Sequence, residues 1–185
     1  MKRSLIWIGF VITGLLVVCP VVRSETDLGM YSNTKLRISF NIPKGMNLYT
    51  PENPGPLASQ LPPTAPWILV NPAFTEENVT VKASRGVSED DVVGFKKLLD
   101  DESDIPVPKY KRLSVRIIKI GKLKNKQAVE HIFMMQGNIL GKLRQITFSH
   151  KGRGLTFTCA TAVDRYDKAN RHFFDPIFRS MAFNK

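Results

Sequence analysis

Apolar and polar residues alternate with a period of two along most of the chain, and with a helical period in two places. Leu36, Ile38, Phe40 and Ile42 interleave with Arg37, Ser39 and Asn41, which predicts a half-buried strand ended by Pro43 and Gly45. Val79, Val81 and Ala83 alternate with Thr80, Lys82 and Ser84 and predict another. From Arg112 onward the pattern predicts four consecutive strands, about Arg112 to Ile120, Ala128 to Gln136, Leu140 to Ser149 and Leu155 to Ala162. The adjacent Ile117 and Ile118 change the parity of the first and predict a bulge there. The second is apolar on both faces, with Val129, Phe133 and Met135 against Ile132 and Met134, as expected of a central strand. Gly137-Asn138 and Lys151 to Gly154 supply turns for antiparallel hairpins.

The first helical stretch starts at Ser88, whose partner Asp91 stands three residues on, close to a capping box. Glu89, Asp90 and Asp91 crowd its first turn, where the helix dipole favours negative charge. Val92, Phe95, Leu98 and Leu99 form its apolar face, and it stops by Ser103, ahead of Pro106 and Pro108. The second stretch runs from about Asp167 to Ser180, with Phe173, Phe174, Ile177, Phe178 and Met181 at helical spacing. Pro176 predicts a kink or a fresh start near Phe174, and Asp175 fits the N-cap of such a start. Seven of the twelve prolines fall between Pro51 and Pro72. They exclude a regular element across Pro51 to Pro66, with a short strand at Trp67 to Val70. This stretch reads equally as a surface loop that wraps the domain and as a binding loop. Together the elements predict an α/β (α+β) domain, a mainly antiparallel sheet flanked by helices.

Three segments resemble the PsbP-like and DcrB-like proteins: Phe40 to Met46, Leu155 to Thr161, and above all Phe174-Asp175-Pro176-Ile177-Phe178-Arg179-Ser180-Met181-Ala182-Phe183. The likeness covers residues 36–183, by order of elements. It implies an α/β/α sandwich, and a habit of binding other proteins rather than a shared reaction. The group includes a photosystem II extrinsic subunit, bacterial envelope lipoproteins and secretion chaperones. No metal or chloride site of the photosynthetic members is matched here.

The N-terminus sets the compartment. Lys2 and Arg3 precede 19 uncharged residues, Ser4 to Val22, and Arg23 and Ser24 follow. This is the layout of a secretory signal, with cleavage expected after Ser24. The protein then divides into a signal peptide (1–24), an N-terminal extension (25–35) and one domain (36–183) with a proline-rich loop at 51–72. The expected location is periplasmic or secreted. The alternative is a membrane anchor through residues 4–22, whose helical length of about 28 Å approaches a bilayer core. Lipidation at Cys19 is disfavoured by Val18, where a small residue is usual.

Removal of the leader takes Lys2, Arg3 and Arg23, so 24 cations face 16 acids and the net charge of +11 becomes +8. A basic surface favours another envelope protein of acidic character or an anionic surface, and export argues against nucleic acid. Eight cations fall within the 18 residues from Lys109 to Lys126 with no acid among them. Lys122, Lys124 and Lys126 share one parity in a predicted turn and, with Lys119, form the candidate interaction surface. The plainer reading of such lysines is that they keep a hairpin soluble and guard its edge.

Chemistry-bearing motifs are scarce. Cys159 is the one cysteine beyond the leader and sits in a strand-like run as a small apolar filler. His131, His150 and His172 lack metal-ligand spacing, and Glu130 and His131, as neighbours on a strand, point to opposite faces. Asp100, Asp101, Glu102 and Asp104 lack the spacing of a calcium loop. Asn78-Val79-Thr80 is a glycosylation triplet, meaningful in a eukaryotic secretory route alone. No catalytic, cofactor or metal residues are assigned. The expectation is an exported, non-enzymatic protein-binding or accessory domain of the bacterial cell envelope. The alternative is a carrier holding a small ligand between the C-terminal helix and the sheet.

Overall fold

The computed structural model describes residues 29–51, 53, 67–86, 88–101, 110–136 and 140–184. The expected signal peptide with Cys19 and Ser24, residues 52 and 54–66 of the proline-rich stretch, the acids after Asp101, and residues 137–139 with the expected Gly137-Asn138 turn lie outside them.

The chain folds as strands β1 (Met30–Asn33), β2 (Ile38–Asn41), β3 (Asn47–Tyr49), β4 (Ile68–Asn71) and β5 (Phe74–Arg85), then helix α1 (Glu89–Asp101). Strands β6 (Tyr110–Ile120), β7 (Lys126–Gln136), β8 (Leu140–His150) and β9 (Arg153–Ala162) follow. A helical segment comes next, with α2 (Tyr166–Ala169), a π-turn at Asn170–Phe174 and α3 (Asp175–Ser180), before the short β10 (Ala182–Phe183). Seven strands form one sheet in the order β3-β4-β5-β9-β8-β7-β6, and every neighbouring pair is antiparallel. A second sheet orders β1-β2-β10. The α/β/α layering follows from two-sided burial. Along β7, Ala128 and Glu130 face the C-terminal helical segment, while Val129 and His131 face the side of α1.

Between the large sheet, the small sheet and the C-terminal segment lies the main core. Trp67, Phe40, Phe157, Phe174 and Ile177 are fully buried within it. The Trp67 ring meets Phe40 at 5.0 Å, Phe157 at 5.4 Å and Tyr31 at 5.6 Å. Each buried aromatic or branched side chain here contributes roughly 1.5–3 kcal/mol by leaving water. Ser180 locks the closing helix to β2: its hydroxyl donates to the Pro176 carbonyl at 2.7 Å and accepts the Asn41 N–H at 3.0 Å.

Four expectations are corrected. Residues 25–35 are not wholly an extension, because Met30–Asn33 pairs with β2 as β1, and Tyr31 joins the Trp67 cluster. The bulge in β6 falls between Arg112 and Ser114, not at Ile117-Ile118. Ile118 packs against the main core, while Ile117 points to the α1 side, beside Val92 and Val93, and stays 42% exposed. The fresh start expected near Phe174 is there: after the π-turn at Asn170–Phe174, α3 begins at Asp175 with Pro176 in its first turn. Its N-cap is Phe174 and not Asp175, whose carboxylate reaches Arg144 instead. Strand β5 also begins earlier than the alternation at Val79 suggested, at Phe74.

The α1 start is as expected. Ser88 Oγ accepts the Asp91 N–H at 3.1 Å, and Asp91 accepts from the Ser88 backbone N–H at 2.7 Å. The Ser88 backbone N–H and hydroxyl both donate to the Asp91 carboxylate, each at 2.7 Å, and hold its pKa below the usual range. Among the described residues no helix is long and apolar enough to cross a membrane.

Candidate functional site

The four lysines singled out by sequence lie where the β6–β7 hairpin turns. Lys119 is exposed on β6, the last strand of the large sheet. Lys122 and Lys124 are exposed in the turn, which the Lys124 N–H closes onto the Gly121 carbonyl at 2.9 Å. Lys126 departs from the expected trio: it begins β7, is half-buried, and its ammonium lies 6.0 Å from the centre of the Phe183 ring.

Backbone bonds tie this turn to the C-terminus. The Gly121 N–H donates to the Phe178 carbonyl at 3.0 Å, and the Lys122 N–H to the Met181 carbonyl at 2.7 Å. Gly121 has φ of +88°, and a Cβ there would stand 2.6 Å from the Phe183 ring and 3.2 Å from the Met181 oxygen. Only glycine meets both demands, so the turn is fixed by contacts that no local pattern reveals.

Strand β6 has no further strand beyond it among the described residues. Eleven residues long, it carries Lys111, Arg112, Arg116 and Lys119 and no acid. Leu113, the extra residue of the bulge, and Ile117 are each 42% exposed. This is an edge with apolar anchors set among cations.

Sequence reasoning missed one polar cluster. Glu130 is fully buried, and the Nε and Nη2 groups of Arg144 each lie 2.8 Å from its Oε1, while Arg116 bonds Oε2. Arg144 Nη1 donates to Asn170 and to Asp175, each at 2.6 Å. Burial opposes the Arg144 charge, but the Asp175 hydrogen bond and the Glu130 carboxylate outweigh it and raise its pKa. The signal was lone charges at core-facing positions of apolar strands. Satisfied on all sides, the cluster joins β6, β7 and β8 to the C-terminal helices.

The histidines stay apart. His131 turns away from Glu130, and its Nε2 lies 2.7 Å from the Tyr110 hydroxyl. Burial, reinforced by the Arg112 charge, lowers its pKa to about 4. His150 Nε2 donates to the Arg37 carbonyl at 3.2 Å, and burial and the Lys126 charge also lower its pKa. His172 is exposed. Cys159 is fully buried, and burial pushes its thiol up to about 12, which leaves it neutral and inert. Among the described residues no three His, Cys, Asp or Glu side chains gather as a metal site. The space between the C-terminal helices and the sheet, expected to hold a carrier's ligand, is filled by Ile146, Phe157, Phe174, Ile177 and Phe178.

No protein-family model matches the chain, and no curated protein matches it. Solved structures do. Cyanobacterial PsbP (CyanoP) from Synechocystis sp. PCC 6803 aligns over 92% of this chain and 99% of its own, with a TM-score of 0.55 at 19% identity. The chain has the PsbP-like fold. LpqN, involved in cell envelope biogenesis of Mycobacterium tuberculosis, aligns with a TM-score of 0.54 at 14% identity, over 80% of this chain and 83% of LpqN. A Bacteroides thetaiotaomicron protein aligns at 0.56 and 12% identity, this chain spanning about half of it (85% of this chain, 49% of that one). At such identities the likeness speaks for the PsbP-like fold, the α+β sandwich expected from the residues, and not for a shared activity.

Proposed function

We propose that the protein is an exported accessory domain of the bacterial cell envelope that acts by binding another protein, without catalysis of its own. The observation that carries this reading is the β6 edge, which no described strand covers, with Leu113 and Ile117 exposed beside the exposed Lys111 and Lys119. An extended, acidic segment of a partner suits that edge: backbone groups extend the sheet, the cations meet its carboxylates, and the two apolar side chains give it anchors. The leader and the basic balance of the chain support the location, and the PsbP-like fold is compatible with it.

The test is a photo-crosslinking residue at Leu113, introduced in the source organism. A specific adduct is expected in the envelope fraction, lost in Lys111→Glu/Lys119→Glu. An adduct that survives those reversals but disappears in Lys122→Glu/Lys124→Glu/Lys126→Glu would move the contact from the edge to the turn. No adduct in any background would remove the protein-binding reading.

A further inference from the structure

Three turns meet at one end of the molecule, and Phe183 is the post around which they are fixed. Its ring packs on His150 at 5.2 Å and Phe148 at 5.5 Å, and Gly121 is pressed against it. The Arg37 carbonyl accepts from the Asn184 N–H at 2.9 Å and from His150, which binds the β1–β2 turn to the same post. The β8–β9 hairpin ends here in a two-residue turn, Lys151-Gly152, whose Gly152 carbonyl accepts the Gly86 N–H at 2.9 Å.

The tips of all three turns are cationic. Lys35 and Arg37, Lys122 and Lys124, and Lys151 are exposed. Arg37, Lys124 and Lys151, with φ of 53°, 49° and 50°, are the non-glycine residues of positive φ among the described residues. Glycine or asparagine would sit at such positions with less strain, yet each holds a long cation, and all three face the same end. Between Lys122 and Lys124, Leu123 is 79% exposed, the most exposed large apolar side chain among the described residues. It stands out from the turn rather than lining a groove. The acids that open α1 come shortly after Gly86, whose N–H bonds the Gly152 carbonyl, and the Asp91 carboxylate among them is already held by Ser88.

We propose that this end docks on an anionic lipid surface, with Leu123 entering the headgroup layer and the cations of the three turns meeting lipid phosphates. A protruding apolar residue ringed by cations needs a soft, flat, negative partner, because a protein would have to offer a matching pocket. The proposal goes beyond the protein-binding reading and uses a different surface, the turn tips rather than the β6 edge.

Co-sedimentation of the full chain with phosphatidylglycerol/phosphatidylcholine vesicles, against phosphatidylcholine alone, tests it. The leader is common to every variant, so differences between variants report the turns. Retention on the anionic vesicles is expected to exceed that on neutral ones and to fade at high salt. Lys124→Asn/Lys151→Asn should weaken it about 25-fold, at about five-fold per lysine near an anionic surface. Asparagine tolerates the left-handed backbone, so thermal unfolding of the double variant should be unchanged or shifted up, separating lost docking from lost folding. Leu123→Ser should weaken retention as well. Equal retention of the double variant, or equal retention on neutral vesicles, would overturn the proposal. So would capture by polyglutamate without capture by phosphatidylglycerol, which would assign the end to an acidic polypeptide. The Leu113 adduct should be indifferent to Lys124→Asn/Lys151→Asn, so failure of either reading leaves the other standing.

Discussion

Arg144 and Asp175, 31 residues apart in the chain, meet through Nη1 and Oδ1 at 2.6 Å, with Glu130 bonded to the far side of the same guanidinium. An aspartate that sequence placed at a helix start is thus the second carboxylate of a buried cation. Arg144→Met should cost about 3–5 kcal/mol, because it leaves Glu130 buried with Arg116 alone. The double variant Glu130→Gln/Arg144→Met should be less destabilised than the sum of the single changes by more than about 1 kcal/mol. Urea unfolding of the four proteins gives the coupling, and strict additivity would show that the two groups act independently.

The β6–β7 turn should be intolerant of a side chain at its first residue. Gly121→Ala meets both a positive φ and the Phe183 ring, and should destabilise by about 2 kcal/mol or more. Gly94 lies inside α1 with nothing within 4 Å of an added Cβ, so Gly94→Ala should stabilise by about 0.5–1 kcal/mol. Gly152 has φ of +68° and open space around an added Cβ, so a larger loss of melting temperature in Gly121→Ala than in Gly152→Ala would show that contact with the C-terminus, and not turn propensity alone, sets the choice at 121.

Acid should weaken the fold through His131. Its folded pKa of about 4 lies below the ordinary 6.5, so between those values the unfolded chain binds the extra proton. Stability from this group is nearly complete above about pH 6.5 and falls as pH drops toward 4, by about 3 kcal/mol. The lowered pKa of His150 acts in the same direction. Unfolding free energies at pH 7 and 4.5 should differ less in His131→Gln than in the parent; an equal difference would show that other groups carry the acid sensitivity.

Cys159 should report global opening. Its thiol is buried and held neutral, so a thiol reagent should modify it only as fast as the domain unfolds. Labelling at the same rate in native buffer and in denaturant would place the side chain outside the core.

Legibility along the chain followed the range of the forces involved. The hairpins at β6 through β9 were readable because strand periodicity and turn glycines are local signals; Lys151 and Gly152 take positive φ as a two-residue hairpin requires. The α1 cap was readable for the same reason. The small sheet was not. β10 has two residues, too few for any pattern, and pairs with β2 from more than a hundred positions away. Tyr31 likewise looked like part of an extension until Phe40 and Trp67 gave it neighbours. Of the candidate surface, the sequence located the basic run, but it could not separate Lys126, drawn onto Phe183, from Lys122 and Lys124, or add Arg37 and Lys151 to them.

By itself, then, the order of residues determined the strand and helix periods and the layered α+β class, because each depends on neighbours a few positions away, and it fixed the excess of positive charge. Tertiary structure alone decided which strand ends the large sheet, where the charges of Glu130 and Asp175 balance those of Arg116 and Arg144, and that three distant turns converge on Phe183. Those outcomes depend on long-range packing and on removing charge from water, and neither leaves a period in the chain.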